Sequence, residues 1–167
     1  MDIGTAIDND RIDEIDKALS NHSLSEAEKS FGLSEAITQH KFNIAKLFLL
    51  HGANPNIETD EPRSYPAILR ASEGTNVDMM KAILGHGGDP NCVFFGGGTP
   101  LITALETISL SEGKNNLEMI EVLLDAGAYI HYRWIEAGGI TPIDLADTME
   151  SKVVRDYLIS YKESAIG

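Results

Sequence analysis

The stretch from Gly85 to Pro100, GHGGDPNCVFFGGGTP, concentrates side chains that could do chemistry. His86, Asp89 and Cys92 follow the spacing H-x-x-D-x-x-C, which could be arranged around zinc with His131 as a fourth ligand. The cysteine could also act as a nucleophile if a histidine lay within reach as its base. The glycines that follow could cradle a phosphate. The stretch therefore raises three chemical hypotheses, and the rest of the sequence must support one of them or none.

Each hypothesis lacks a feature that its chemistry requires. Structural zinc sites usually bring paired cysteines or histidines, and this chain has one cysteine. A nucleophilic Cys92 would need an electropositive setting, whereas its surroundings in the sequence are acidic. The glycines lack the lysine of G-x-x-x-x-G-K-[ST] and the spacing G-x-G-x-x-G. We therefore expect no catalytic residue, no metal ligand and no cofactor, and we do not expect an enzyme.

The composition is that of a folded and strongly acidic chain. The 167 residues are 43 % hydrophobic and 23 % charged, which fits one domain. A formal net charge of -13 disfavours nucleic acid and favours a basic partner, although the same acidity would also serve solubility alone. With one cysteine, no secretory signal and no apolar stretch long enough to span a bilayer, we expect a cytoplasmic protein that does not enter a membrane.

Three segments of the chain repeat one another without gaps. They read NIAKLFLLHGANPN at 43–56, DMMKAILGHGGDPN at 78–91 and EMIEVLLDAGAYIH at 118–131. In each, apolar residues at helical spacing precede a glycine (Gly52, Gly87 or Gly127) that is expected to end the helix in the left-handed conformation. Shorter segments upstream, at 64–72, 98–106 and 140–148, carry a proline suited to the first turn of a helix, which Thr99 or Thr141 can cap. The pattern predicts repeated helix–turn–helix units.

This pattern resembles the ankyrin repeat, whose consensus runs roughly G-TPLHLAA-xxGH-xEVVKLLL-xxGADVN. The three long segments match its second half, and GGGTPL and GGITPI match its opening. The resemblance implies an all-α fold, an ankyrin-repeat α-solenoid of about five helix–turn–helix units with projecting β-hairpin loops. The repeats are expected at approximately 3–28, 31–61, 62–95, 96–136 and 138–162, with the first and last as caps of a single domain.

The sequence departs from the family pattern at several positions. The first two repeats lack the Thr-Pro pair, and the first also lacks a closing glycine. The histidine that the family places after Thr-Pro-Leu is replaced by Ile68, Ile102 and Asp144, so its usual hydrogen bond to neighbouring repeats is expected to be missing. An insertion, ISLSEGKNN at 108–116, lengthens the fourth repeat.

The resemblance implies that the chain binds another protein through a concave face and the tips of its hairpins. One tip, at 57–65, is acidic, and the next two carry aromatic residues and an arginine, the types that dominate binding hot spots. The aromatic side chains could instead fold down onto the adjacent repeat. The candidate partner-binding residues, on the tips and first helices, are Glu58, Asp60, Glu61, Arg70, Phe94, Phe95, Glu106, Tyr132, Arg133 and Trp134.

A free-standing acidic protein of this kind is similar to bacterial immunity proteins that block a secreted toxin. Negative charge would suit a basic toxin. The alternatives are a host-like adaptor or a secreted effector scaffold and, from a different class, a small enzyme or ligand-binding protein centred on Cys92 and His86. By itself the chain is expected to be a monomer.

Overall fold

The computed structural model describes residues 2–57, 65–74, 76–94, 96–110, 117–148 and 152–164. Within these ranges the chain forms ten α-helices, one 3-10 helix at Ile135–Ala137 and a single isolated β-bridge between Trp134 and Ile140. The α-helices, numbered α1 to α10 in chain order, are Ile3–Asp8, Ile12–Ser20, Glu26–Thr38, Phe42–Leu50, Ala67–Ser72, Val77–Gly85, Pro100–Leu110, Leu117–Asp125, Pro142–Asp147 and Lys152–Ser164.

By their contacts the residues group into two compact units. The N-terminal unit comprises Met1–Ala71 with Asp78–Asp89, and the C-terminal unit comprises Ser72–Val77 with Pro90–Gly167. In the N-terminal unit α3 packs against α1 and α4, and α2 contacts the same two helices. In the C-terminal unit α7 packs against α8 and α9, and α9 packs against α10. Each unit is therefore built from helix pairs in contact with their neighbours.

The apolar stripes that the repeats predict form the cores of these units. In the N-terminal unit Ile44, Phe48 and Ile83 are fully buried or nearly so. The Phe48 ring packs so closely on the backbone of Gly32 that a Cβ at that position would overlap it. In the C-terminal unit the fully buried side chains include Ile120, Leu123, Leu124, Leu101, Ile102 and Leu158. The burial of these stripes confirms the helical periodicity of the sequence.

Helix starts are fixed by side chains that satisfy the first free backbone N–H groups. Thr141 and Asp144 form a reciprocal capping box at the start of α9, where Pro142 occupies the first turn. Thr99 accepts a hydrogen bond from the Ile102 N–H at 3.4 Å, so both predicted caps are confirmed. A second capping box, Ser25 with Glu28, starts α3 at Glu26.

Helix ends use a left-handed residue, which is usually but not always glycine. Gly52, Gly87 and Gly127 have φ values of 76°, 87° and 91°, as the repeat pattern predicts. In the first repeat, which lacks the closing glycine, His22 takes that conformation with φ of 54°. His40 and Asp10 do the same at the turns between helices, with φ of 57° and 53°. The early repeats thus close their turns without glycine, in a conformation that costs a side chain about 1–2 kcal/mol.

The predicted insertion at 108–116 begins as helix. Helix α7 continues to Leu110, and Ile108 is buried. Residues 111–116 lie outside the described residues. The first part of the insertion therefore lengthens α7 by adding one buried side chain to its packed face.

Polar side chains tie neighbouring turns together in each unit. In the N-terminal unit the Asn56 amide donates to Gly87 O at 2.8 Å, and its oxygen accepts from Asp89 N at 2.7 Å. In the C-terminal unit Asn91 makes the matching pair, to Gly127 O at 2.9 Å and from Tyr129 N at 2.7 Å. Ile68 and Ile102, which replace the family histidine, are fully buried, so at these positions apolar packing takes the place of a polar side chain.

Candidate partner-binding site

The first part of the stretch 85–100, for which zinc binding and nucleophilic catalysis were considered, forms the turn after α6. His86 follows the last residue of α6, and its ring Nδ1 lies 2.8 Å from Ala82 O. Gly88 sits where a Cβ would press on Ile83, and Asp89 donates its backbone N–H to Asn56. Cys92 is half-buried and, as the single cysteine of the chain, forms no internal disulfide. Among the residues that the structure describes, no group of three or more His, Cys, Asp or Glu side chains could hold a metal ion.

The first described tip, residues 92–94 and 96–98, is a tight loop that we call the glycine tip. Gly97 N donates to Phe94 O at 2.8 Å, and Phe94 N donates to Gly98 O at 3.3 Å. Gly96 and Gly97 have φ of 97° and 79°, which few other residues tolerate. The Phe94 ring packs directly on Gly98, where a Cβ would overlap it. Phe94 is therefore a half-buried support of the loop, and its neighbour Val93 is exposed.

The second tip, residues 131–139, is called the tryptophan tip. Trp134 N donates to Ile140 O at 2.9 Å, and Gly139 N donates to Trp134 O at 2.8 Å, which closes the loop. The 3-10 helix Ile135–Ala137 lies within this loop and is followed by Gly138, whose φ is 84°. Arg133 and Glu136 are exposed, and Ile135 is 71 % exposed. A large aliphatic side chain thus stands in solvent on an ordered loop.

Two aromatic side chains of the tryptophan tip bind the backbone of the glycine tip. The Tyr132 hydroxyl donates to Gly97 O at 2.7 Å, and the Trp134 Nε1–H donates to Gly96 O at 2.6 Å. The Glu136 carboxylate lies against Gly97, so closely that a Cβ there would overlap it. Tyr132 and Trp134 therefore follow the alternative considered for the hairpin aromatics and fold down onto the adjacent loop. They hold the two tips together as one surface.

Two titratable side chains of this unit, Glu106 and Tyr132, have raised pKa values. Partial burial of its carboxyl raises the pKa of Glu106 on α7, although the side chain as a whole is exposed. Burial of the hydroxyl raises the pKa of Tyr132, and the negative charge of Glu136 raises it further. Tyr132 therefore stays protonated and keeps donating to Gly97 O at neutral pH.

Arg70 lies in the N-terminal unit and has a structural partner. Its guanidinium stands 4.5 Å from the centroid of the Tyr65 ring, a cation–π contact. The backbone O of Tyr65 accepts a hydrogen bond from Ser34 Oγ at 2.7 Å. Arg70 is half-buried, so part of its side chain is already committed to holding the segment before α5.

The structure brings together a subset of the residues predicted from the sequence. Phe94, Tyr132, Arg133 and Trp134 belong to the joined tips, and Glu106 is exposed in the same unit. Glu58, Asp60, Glu61 and Phe95 lie outside the described residues. Two exposed tip residues were missed, Val93 and Ile135, which are 55 % and 71 % exposed. Both could have been found in the sequence, because each is an aliphatic residue within a short turn that glycines bound.

Comparison with known proteins supports the pattern read from the sequence. The family model of ankyrin repeats matches three copies across residues 33–161. No curated protein shows significant similarity to the chain. The match confirms the expected all-α ankyrin-repeat fold. None of the described helices is both long and apolar enough to cross a membrane.

Proposed function

The chain belongs to the ankyrin-repeat family, and we propose that its joined tips form the surface through which it binds a partner protein. Ankyrin repeats are generally protein–protein interaction modules and typically act as scaffolds without catalysis. The proposal adds the location of the surface and the chemistry of the partner. It assigns no catalytic role to Cys92 or His86.

The observation that carries the proposal is the exposure of Val93 and Ile135 on loops that are held rigid. Exposed aliphatic side chains on an ordered surface often mark interaction sites. Here the Tyr132 and Trp134 hydrogen bonds fix both loops, so little conformational entropy is lost when a partner docks. Rigid backbone with outward apolar side chains is the arrangement that favours specific binding.

The charge of the chain supports a basic partner. With a net charge of -13, the protein attracts cationic surfaces and raises their association rate. Arg133 and Glu136 are exposed on the tryptophan tip, so charged side chains stand on either side of Ile135 in the sequence, and Glu106 is exposed in the same unit. A partner with an apolar centre and basic rim would complement this composition.

At a finer level we propose that the chain is an immunity protein that neutralises a basic toxin, acting in the cytoplasm as a monomer until it binds. Its acidity and its family support this proposal, and both are equally compatible with an adaptor or an effector scaffold. Co-expression with the product of an adjacent gene should give a stable complex and restore growth. Binding without any protection would favour the adaptor instead.

The location of the surface is tested with a matched pair of double variants. Val93→Ser with Ile135→Ser removes the exposed tip side chains, and Val153→Ser with Leu50→Ser removes equally exposed ones elsewhere. We expect the tip variant to lose about tenfold or more in partner affinity by calorimetry, as hot-spot truncations do. The matched control should stay within about twofold of the unmodified protein.

Equal losses in the two double variants, or none in the tip variant, would place the binding surface elsewhere. A Cys92→Ala variant separates binding from chemistry, because it removes the half-buried thiol of the glycine tip and keeps the exposed Val93 and Ile135. The proposal expects full partner affinity and full protection from this variant. Loss of protection with unchanged affinity would point to a reaction at the thiol.

A further inference from the structure

A second surface in the C-terminal unit is an open apolar depression of about 380 Å³ beside the turn that follows α8. Its lining is almost entirely apolar and comes from Ala128, Tyr129, Ile130, His131, Tyr132 and Tyr161. Ala128 and Ile130 are buried and form its floor, whereas Tyr129 is 66 % exposed. The family match assigns no role to this depression, which shares His131 and Tyr132 with the tryptophan tip.

The walls of the depression are held in place by hydrogen bonds. The Tyr129 backbone N–H donates to Asn91 Oδ1 at 2.7 Å, and Asn91 Nδ2 donates to Gly127 O at 2.9 Å. On the other side the Tyr161 hydroxyl donates to Leu124 O at 2.9 Å. The Tyr129 ring is therefore presented to solvent from a fixed turn, which makes it a preformed apolar contact.

Two carboxylates lie in the last turns of α8, shortly before the chain reaches Ala128, the first residue that lines this depression. Asp125 is the last residue of α8, directly after the carbonyl that Tyr161 binds, and Glu121 lies one turn earlier. The negative charges of both act on Tyr157, whose ring centroid is 6.4 Å from that of Tyr161. The two acidic groups thus lie near Tyr157, whose ring neighbours the Tyr161 ring that lines the depression.

The placement of these carboxylates is unfavourable for α8 alone. Carboxylates spaced i, i+4 repel each other, and a negative charge at a helix C-terminus opposes the helix dipole. The last turn of α8 contains no basic residue. Among the described residues no lysine, arginine or histidine forms an ion pair with Glu121 or Asp125. A cation supplied from outside would relieve both penalties.

We infer that the depression receives a long basic side chain, arginine or lysine, of a partner protein. Its aliphatic stem would lie against Tyr129, Ile130 and Tyr161, and its charged head would face Glu121 and Asp125. Such side chains combine apolar stem contacts, cation–π attraction and ion pairing. A second copy of this chain is a poor occupant, because two chains of net charge -13 repel each other.

The test uses the full chain and a defined probe, the peptide acetyl-Gly-Arg-Arg-Gly-amide. We expect the peptide to shift backbone amide signals of Ala128 to Tyr132 in a nuclear magnetic resonance titration. The same peptide with citrulline in place of arginine keeps the shape and loses the charge, so it should cause no comparable shifts. The double variant Glu121→Gln with Asp125→Asn should weaken binding about five- to tenfold, the range of two partly exposed ion pairs.

The matched control, Asp13→Asn with Asp78→Asn, removes two exposed charges from helices of the N-terminal unit. It should change affinity by less than about twofold, since it alters only the long-range field. Tyr129→Ala should weaken binding without lowering stability, because its ring is mostly exposed. Equal losses in both double variants, or equal shifts from the citrulline peptide, would overturn the inference. Val93→Ser with Ile135→Ser should leave peptide binding intact, which separates this surface from the tips.

Discussion

Lys41 in the N-terminal unit and Asn91 in the C-terminal unit both tie neighbouring turns together, but they do so with different chemistry. The Lys41 ammonium donates to Ile7 O at 2.6 Å and Asp8 O at 3.0 Å, and it pairs with the Asp10 carboxylate at 3.0 Å. The Asn91 amide is neutral and both donates and accepts. A lysine can only donate, so its turn must offer carbonyls and a negative charge, whereas an asparagine can bind any exposed peptide edge.

The turns themselves differ in the same way. Gly52, Gly87 and Gly127 adopt the left-handed conformation without a steric penalty, whereas His22 and His40 adopt it with a side chain. The contacts around a turn, rather than its residue type, therefore decide where the chain reverses. Turns of one repeat architecture are thus held by unrelated local interactions, which differ in cost and in sensitivity to salt and pH.

Core truncation in the two units should give the largest effects. Phe48→Ala in the N-terminal unit should lower the free energy of unfolding by about 3–5 kcal/mol, because it empties the space that the ring fills over Gly32. Leu123→Ala in the C-terminal unit should cost about 2–4 kcal/mol. Urea unfolding followed by circular dichroism measures both. Leu50→Ala, at a site 73 % exposed, should cost less than about 0.5 kcal/mol.

The glycine tip allows a sharper comparison between adjacent positions. Gly96→Ala adds a Cβ into open space and should cost about 1–2 kcal/mol through its positive φ alone. Gly97→Ala adds the same strain and displaces the Glu136 carboxylate, so its cost should reach about 2–3 kcal/mol. Thermal unfolding of the two variants provides the difference. Equal losses would show that the Glu136 carboxylate can move away from Gly97 without a cost in stability.

Replacing Lys41 and Asn91 should distinguish a charged from a neutral set of hydrogen bonds between turns. Asn91→Ala leaves Gly127 O and Tyr129 N without their partner and should cost about 1–2 kcal/mol. Lys41→Met keeps the apolar stem and should cost a similar amount at low salt. Between about 0.05 and 0.5 M NaCl the Lys41→Met penalty should shrink, and the Asn91→Ala penalty should stay constant. Parallel salt dependence in the two series would contradict the assigned chemistry.

The smallest effects concern two carboxyl groups whose pKa values move in opposite directions. Hydrogen bonds from the Ser25 backbone and side chain lower the pKa of Glu28, and burial raises the pKa of Glu106. Glu28 therefore adds stability above its unfolded pKa, which is lost as pH falls through the folded value. Glu106 adds stability only below its unfolded pKa, which is lost as pH rises through its folded value.

Glutamine variants measure this contrast by their melting temperatures at acidic and neutral pH. Glu28→Gln should lower the melting temperature at pH ~7 more than at pH ~3. Glu106→Gln should raise it slightly at pH ~7 and leave it unchanged at pH ~3, with an effect of a fraction of a kcal/mol after solvent screening. A destabilising Glu106→Gln at neutral pH would show that the carboxylate has a stabilising partner.

The regular part of the fold could be predicted because the apolar stripes and closing glycines recur in register. Phe48, Ile83 and Leu123 are buried and Gly52, Gly87 and Gly127 are left-handed, as the repeats indicated. The boundaries of the repeats remain a prediction. The S-x-x-E pair of Ser25 and Glu28 was a visible signal for the start of α3 that the repeat pattern did not include.

The candidate site was less predictable, since it depends on contacts between loops. The composition marked Trp134 and Tyr132 as candidate binding residues. Their hydrogen bonds could not be predicted, because Trp134 donates to Gly96 O, 38 residues earlier, and Tyr132 donates to Gly97 O, 35 residues earlier. Val93 and Ile135 are exposed on the same two loops, and their exposure likewise depends on how the loops meet. The left-handed conformation of His22 was not predicted either, because the repeat pattern looks for glycine at this position, whereas histidine is one of the few other residue types enriched there.

The hydrogen bond from the Trp134 indole to Gly96 O has a practical consequence. The chain has one tryptophan, so its intrinsic fluorescence excited at long ultraviolet wavelengths arises from the joined tips alone. The unmodified protein therefore carries a built-in optical reporter at the proposed binding surface. A partner that docks on Val93 and Ile135 should change the emission spectrum more than a peptide seated beside Tyr129, because the depression shares only His131 and Tyr132 with the tips.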